Sequence, residues 1–187
     1  MYTVQPATAD RWEDVAAVMG TRGDPSRCWC QYFMMRRKDW HASTVDTRRE
    51  MLREQVCRQD VPPGVLAYTD GTPVGWCAIA RKSSYPRLRR SPLAGSGDDD
   101  GVWSVTCFVV TVGHRRRGMT SALLQGAIDL ARAHDARTIE AYAVDPSART
   151  SVSAAELYFG PLSVYTSAGF TEVARPYPAR PRMRLDL

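Results

Sequence analysis

The chain has 187 residues, a formal charge of +5, 44% hydrophobic and 24% charged content, which suits one globular unit spanning 1–187 and leaves little room for a second domain. No apolar run approaches the roughly 20 residues of a membrane-spanning helix, and residues 1–20 lack the basic start, apolar core and small-residue cleavage site of an export signal, so the expected address is the cytoplasm. Five cysteines, Cys28, Cys30, Cys57, Cys77 and Cys107, include no C-x-x-C pair, which argues against a disulfide framework or a zinc site and for reduced thiols.

In chain order, "YTVQPA" reads as an opening strand. Asp10 is a fitting N-cap for a first helix, with Trp12, Val15, Ala16 and Met19 at helical spacing. Gly23, Asp24 and Pro25 then read as a break. "CWCQYFMM" at 28–35 is dense in aromatic and soft apolar side chains, so it is buried or it lines something. Residues 44–59, with Met51, Leu52 and Val56, read as a peripheral helix that Pro62-Pro63-Gly64 prevents from continuing.

Two short apolar runs flank Asp70-Gly71 over 64–80, the strongest hairpin signal in the chain. Residues 81–101, rich in Arg, Ser, Pro and Gly and holding Asp98, Asp99 and Asp100, read as a long mobile loop. Residues 103–112 form an apolar, β-branched strand central in a sheet. The stretch 120–134 is an amphipathic helix carrying Leu123, Ala127 and Leu130 or Ala131 on one face, and 138–144 is the next strand, which makes a βαβ unit. Gly160-Pro161 opens a short helix to Ala168, Gly169 closes it, and 170–175 and 183–187 are the last strands.

The stretch "FVVTVGHRRRGMTSALL" places a helix start at the end of a central strand, where unpaired N–H groups favour an anion. Gly118 permits close backbone approach, Thr120 and Ser121 add hydroxyls, and Arg115, Arg116 and Arg117 supply charge for phosphate oxygens. The other arginine clusters, 87–90 and those after 175, read mostly as solvated surface. A P-loop motif and G-x-G-x-x-G are both absent, which leaves coenzyme A as the favoured diphosphate carrier. No helix-turn-helix or aromatic-interleaved basic strand supports nucleic-acid binding.

This stretch resembles the [QR]-x-x-G-x-[GA] acyl-CoA signature of the GNAT superfamily of N-acyltransferases, with Arg115 and Gly118 in the first two fixed positions and Thr120 departing from the small third residue. The early helices, the Asp-Gly hairpin, the strand, cradle and helix, and a closing "VYTSAGF" follow the family's order from about Thr3 to the C-terminus. The resemblance implies a single α/β (α+β) domain with a central mixed, mostly antiparallel twisted sheet and helices on both faces. It implies acetyl-CoA as co-substrate and no metal, with backbone groups of Phe108, Val109 and Val110 on the pantetheine arm. The amides of Arg116, Arg117, Gly118, Met119, Thr120 and Ser121 would receive the phosphates.

The resemblance also implies roles for the reacting groups. Tyr165 is the expected acid for the leaving thiolate, with a buried core tyrosine as the plain alternative. Tyr158 stands where family members often carry an asparagine on the pantetheine. Glu140 is the first choice for a general base and Asp145 the second, against a plain surface glutamate; Ser104 and Thr106 could order water. Trp29, Tyr32 and Phe33 are expected either to wall the acceptor pocket or to form a hydrophobic plug under the first two helices. The three aspartates at 98–100 either attract a cationic acceptor or are simply solvated. The implied activity is acetyl transfer to a primary amine of a small molecule by direct attack in a ternary complex. Acetylation of a protein, and acyl-CoA binding without turnover, are the alternatives. Dimers are common among such proteins, so a homodimer stays open.

Overall fold

The computed structural model describes residues 2–95, 99–148, 151 and 153–187. Apolar runs form β2 (Gly64–Thr69) and β3 (Thr72–Arg81). Asp70 and Gly71, at φ 48° and 76°, supply the two left-handed residues that a tight hairpin turn demands. β1 (Thr3–Pro6) adds to β2, and β4 (Val102–Val110) to β3, all antiparallel. Helix α5 (Met119–Ala133) returns the chain so that β5 (Thr138–Tyr142) pairs with β4 in parallel, the expected βαβ unit. β6 (Thr171–Tyr177) and β7 (Arg180–Asp186) complete a seven-stranded sheet of order β1-β2-β3-β4-β5-β7-β6. Among the described residues β4 and β5 are its one parallel pair, so the sheet is mixed and mostly antiparallel.

Strand alternation divides the core between two faces. Val65, Ala67, Cys77, Ile79 and Val105 meet Leu123, Leu124, Ala127 and Ile128 of α5. Leu66, Trp76, Ala78 and Val109 meet Trp12, Val15, Val18 and Met19 of α1 (Trp12–Met19) and Leu52 and Val56 of α4 (Val45–Arg58). The start of α4 is held by Thr44, whose hydroxyl accepts the Thr47 N–H at 3.1 Å. No helix among the described residues is long and apolar enough to cross a membrane.

Two expectations are corrected. The run Gly23-Asp24-Pro25 opens α2 (Gly23–Cys28) instead of ending structure, because proline's fixed φ and missing N–H are tolerated in a first helical turn. A further short helix, α3 (Arg37–Ala42), follows it. The described residues of 81–101 are tied down: two 3-10 turns, Lys82–Ser84 and Leu88–Arg90, bury Tyr85, Leu88 and Ala94. Lys82, only 3% exposed, pairs with Asp99 at 3.1 Å and Glu140 at 3.0 Å and donates to the Ala94 carbonyl at 3.2 Å. After β5 come α6 (Ala154–Leu157) and α7 (Leu162–Ser167), and Gly169, at φ 87°, ends α7 as expected.

Candidate active site

The chain leaves β4 at Val110, makes one 3-10 turn over Val112–His114, and enters α5 through Arg115, Arg116, Arg117 and Gly118. Gly118 is the N-cap at φ 79°, and a Cβ there would meet nothing within 4 Å, so the space over the helix start is open. Arg116 is also left-handed, at φ 60°. No side chain of Gly118 can cap the helix, and the three arginines and Ser121 are exposed around its first turn. Unpaired N–H groups, the positive end of the helix dipole and three guanidinium groups together suit phosphate oxygens. Met119 is buried in the α5 core, so only its backbone can face a ligand. Arg115 Nε donates to the Val110 carbonyl at 3.1 Å, which folds this arginine back against the end of β4.

The pairing of β4 with β5 ends at Val105 and Ala141, and residues 158–162 come between the diverging strands. On one side the Phe108 N–H donates to the Tyr158 carbonyl at 2.6 Å. On the other, the Val144 N–H donates to the Gly160 carbonyl at 3.0 Å and the Leu162 N–H to the Val144 carbonyl at 2.7 Å. The Thr111 N–H donates to Val74 on β3, so by alternation Val109 also turns its backbone to β3 while Phe108 and Val110 face the gap. This corrects the expectation for Val109, whose backbone belongs to the sheet ladder and not to a pantetheine arm. Phe108 faces the gap as that role requires, but Tyr158 holds its N–H.

Tyr165 lies on α7, fully buried, its ring edge-on to Phe170 at 5.4 Å and 6.2 Å from that of Phe108. Its hydroxyl donates to the Phe159 carbonyl at 2.6 Å. Burial pushes the phenol well above its ordinary pKa, so it keeps its proton at neutral pH. Two consecutive carbonyls, those of Tyr158 and Phe159, thus hold the Phe108 N–H and the Tyr165 hydroxyl. Gly160, at φ 81°, makes this turn feasible: a Cβ there would stand 3.0 Å from the Phe108 ring and 3.2 Å from that of Tyr165.

The expected bases are engaged elsewhere. Glu140 is 2% exposed, pairs with Lys82 at 3.0 Å and Arg184 at 3.3 Å, and accepts from the Tyr142 hydroxyl at 3.3 Å. This corrects its assignment as general base: β5 alternation turns it toward Lys82 and Arg184, so both carboxylate oxygens already face cations. Asp145 accepts from Ser147 and pairs with Arg175 at 2.9 Å, and these contacts hold its carboxyl below the ordinary range, which makes it a poor base. Asp99 pairs with Lys82 and Arg89, and Asp100 with Arg137, so neither is poised for an acceptor; Asp98 lies outside the described residues. Ser104 bonds the Tyr142 hydroxyl at 3.1 Å and Thr106 that of Tyr85 at 3.5 Å.

A cavity of about 570 Å³ opens beside Thr106, Cys107 and Val109 of β4, and Tyr32 and Phe33 both line it. Trp29 does not, which corrects its assignment to the acceptor wall. Trp29 and Cys30 are consecutive left-handed residues, at φ 48° and 49°, and this local twist sends Trp29 into the core, where it stacks on Trp12 at 6.1 Å. The next residue, Gln31, is fully buried and exchanges hydrogen bonds with Gln55 of α4 at 3.0 and 3.1 Å, which anchors the segment. Tyr32 then packs edge-on against Trp40, and Phe33 against Phe159.

Sequence reasoning missed Asp24, Trp40, Arg87, Phe159 and Arg180 as further parts of the cavity wall. Arg87 was hidden among surface-like arginines. A signal was present at Tyr158-Phe159-Gly160-Pro161, since two aromatic residues before a glycine and a proline mark an ordered turn.

Residues 27–160 match the model of the acetyltransferase (GNAT) family. No curated protein matches the sequence. Among solved structures, the chain resembles the GNAT domain of S. lividans PAT at 21% identity and TM-score 0.55, covering 98% of this chain and 89% of that one. It also resembles ribosomal-protein-alanine N-acetyltransferase from Brucella melitensis, at 16% identity and TM-score 0.58 over 99% of each chain. PaiA N-acetyltransferase from Thermoplasma acidophilum, solved in complex with coenzyme A, is 11% identical with TM-score 0.56, over 100% of this chain and 99% of that one. The matched residues take in the whole cradle, the strand that feeds it and most of the cavity wall, and the chain belongs to the acetyltransferase (GNAT) family.

Proposed function

We propose that this protein acetylates the primary amine of a small molecule by direct attack in a ternary complex, in the cytoplasm, where its five free thiols stay reduced. The observation that carries the choice of acceptor is the cavity. At about 570 Å³, with Tyr32, Phe33, Trp40 and Phe159 on its wall, it has the size and lining of a small-molecule site and not of a groove for an extended peptide.

Acetyl-CoA supplies an activated thioester. The backbone from Arg116 to Ser121 holds its phosphates, with Arg115, Arg116 and Arg117 adding charge, and Phe108 and Val110 offer their backbone groups to the pantetheine arm once the Tyr158 carbonyl yields. Tyr165 is the acid. It is protonated, it adjoins Phe108, and release of its hydroxyl from the Phe159 carbonyl leaves it free to donate to the thiolate that departs as the neutral amine forms the C–N bond and the C–S bond breaks. The proton lost by the amine passes to water and from water back to the tyrosinate.

Two measurements test this reading. Gly118→Val forces a β-branched side chain into left-handed backbone and into the open space over α5, and it is expected to raise the dissociation constant for acetyl-CoA tenfold or more, about 1.4 kcal/mol. Gly113→Ala, also in open space but without a positive φ, is the control and binds normally. A folded Gly118→Val with unchanged affinity overturns the cradle. In a thiol-release assay, acetylation of a peptide N-terminus but of no small amine overturns the acceptor class.

A further inference from the structure

Arg87 lines the cavity together with Tyr32, Phe33 and Trp40. Its backbone N–H donates to the Phe33 carbonyl at 3.3 Å and its Nε to the Met35 carbonyl at 3.2 Å. Its guanidinium lies over the Tyr32 ring at 4.2 Å and 5.8 Å from that of Trp40. One terminal nitrogen, Nη2, is covered and has no hydrogen-bond partner among the described residues.

A guanidinium fixed through Nε and stacked on a ring is pre-organised where its side chain lines the cavity. The charge of the lining agrees. Among the described lining residues Arg27 and Arg87 stand beside Asp24, a balance that disfavours a polycation and suits an anionic group. We infer that the acceptor is an aromatic or apolar amine that also carries a carboxylate, in the manner of an amino acid, and that Arg87 binds that carboxylate while the rings of Tyr32, Phe33 and Trp40 hold the apolar part. This rests on the cavity being the acceptor site of a small-molecule acetyltransferase.

The test compares amino acids with their decarboxylated partners: phenylalanine with phenethylamine, tryptophan with tryptamine, and spermidine as the polycation. Turnover with acetyl-CoA and calorimetric binding in the presence of coenzyme A are both measured. The native enzyme is expected to favour the carboxylate-bearing member of a pair by tenfold or more in kcat/KM or in affinity. Arg87→Gln removes that preference, Arg87→Lys keeps part of it, and both bind coenzyme A normally, which also reports that they are folded. Preference for a decarboxylated amine or spermidine, a preference that survives Arg87→Gln, or no saturable binding of any carboxylate overturns the inference. If coenzyme A binds and only the preference is missing, this inference alone falls; if the native protein binds no coenzyme A, the acetyltransferase reading beneath it falls as well.

Discussion

Replacing Glu140 by glutamine separates a structural carboxylate from a catalytic one. Its carboxylate is flanked by Lys82 at 3.0 Å and Arg184 at 3.3 Å, and Lys82 is 3% exposed with Asp99 as its other anionic partner. Breaking a buried ion pair by neutralising one member costs about 3–5 kcal/mol, and the lower end applies because Asp99 remains with Lys82. For a chain of this length each kcal/mol moves the melting temperature by about 2–4 °C, so a loss of about 3 kcal/mol lowers Tm by about 6–12 °C. Lys82→Met with Glu140→Gln is then less destabilised than the sum of the single variants, because the two substitutions remove one interaction. The assay is a thermal melt beside single-turnover acetyl transfer on the same preparation, with the rate expressed per folded molecule. That rate is expected to hold within about twofold, well short of the hundredfold or more that a lost general base costs. An unchanged Tm with a hundredfold slower rate refutes the reasoning and restores Glu140 as the base.

Trp29→Ala is expected to cost about 3–5 kcal/mol through the void it leaves beside Trp12, with the acceptor KM of the surviving folded protein unchanged. Tyr32→Ala, at a 43% exposed position on the cavity, does the reverse, sparing stability and raising the acceptor KM; melts and steady-state kinetics on both variants decide. Burial pushes the Cys28 thiol from 9.0 up to about 11. Since the thiolate is the nucleophile, iodoacetamide at pH 8 should modify Cys28 about a hundredfold more slowly than an ordinary thiol, and the rate should climb about tenfold per pH unit toward pH 11. Peptide mapping by mass spectrometry measures this, and modification at the ordinary rate at pH 8 contradicts the burial.

Features that depend on near neighbours were legible in the sequence. Asp70-Gly71 demanded a two-residue turn, the apolar spacing of Leu123 and Ala127 demanded a helix against a sheet, and Gly169 stood where left-handed backbone was needed. These signals need only the chain within a few residues, and together with the resemblance they led to the fold and the family. What only the tertiary structure decided depends on strand register and on partners distant in sequence. Glu140 meets Lys82 and Arg184, from a loop before β4 and a strand after α7, so no local pattern could show that its charge was already matched. Val109 and Phe108 are adjacent in sequence, yet one serves β3 and the other the gap, because alternation has meaning only once the register with β3 is set. Trp29 and Tyr32 look equally suited to a pocket wall, and two left-handed residues at Trp29 and Cys30 part them, one into the core and one onto the cavity. Arg87 becomes part of the site for the same physical reason: its basic run is solvated surface in one dimension, and only folding brings it against Phe33, Met35 and Tyr32.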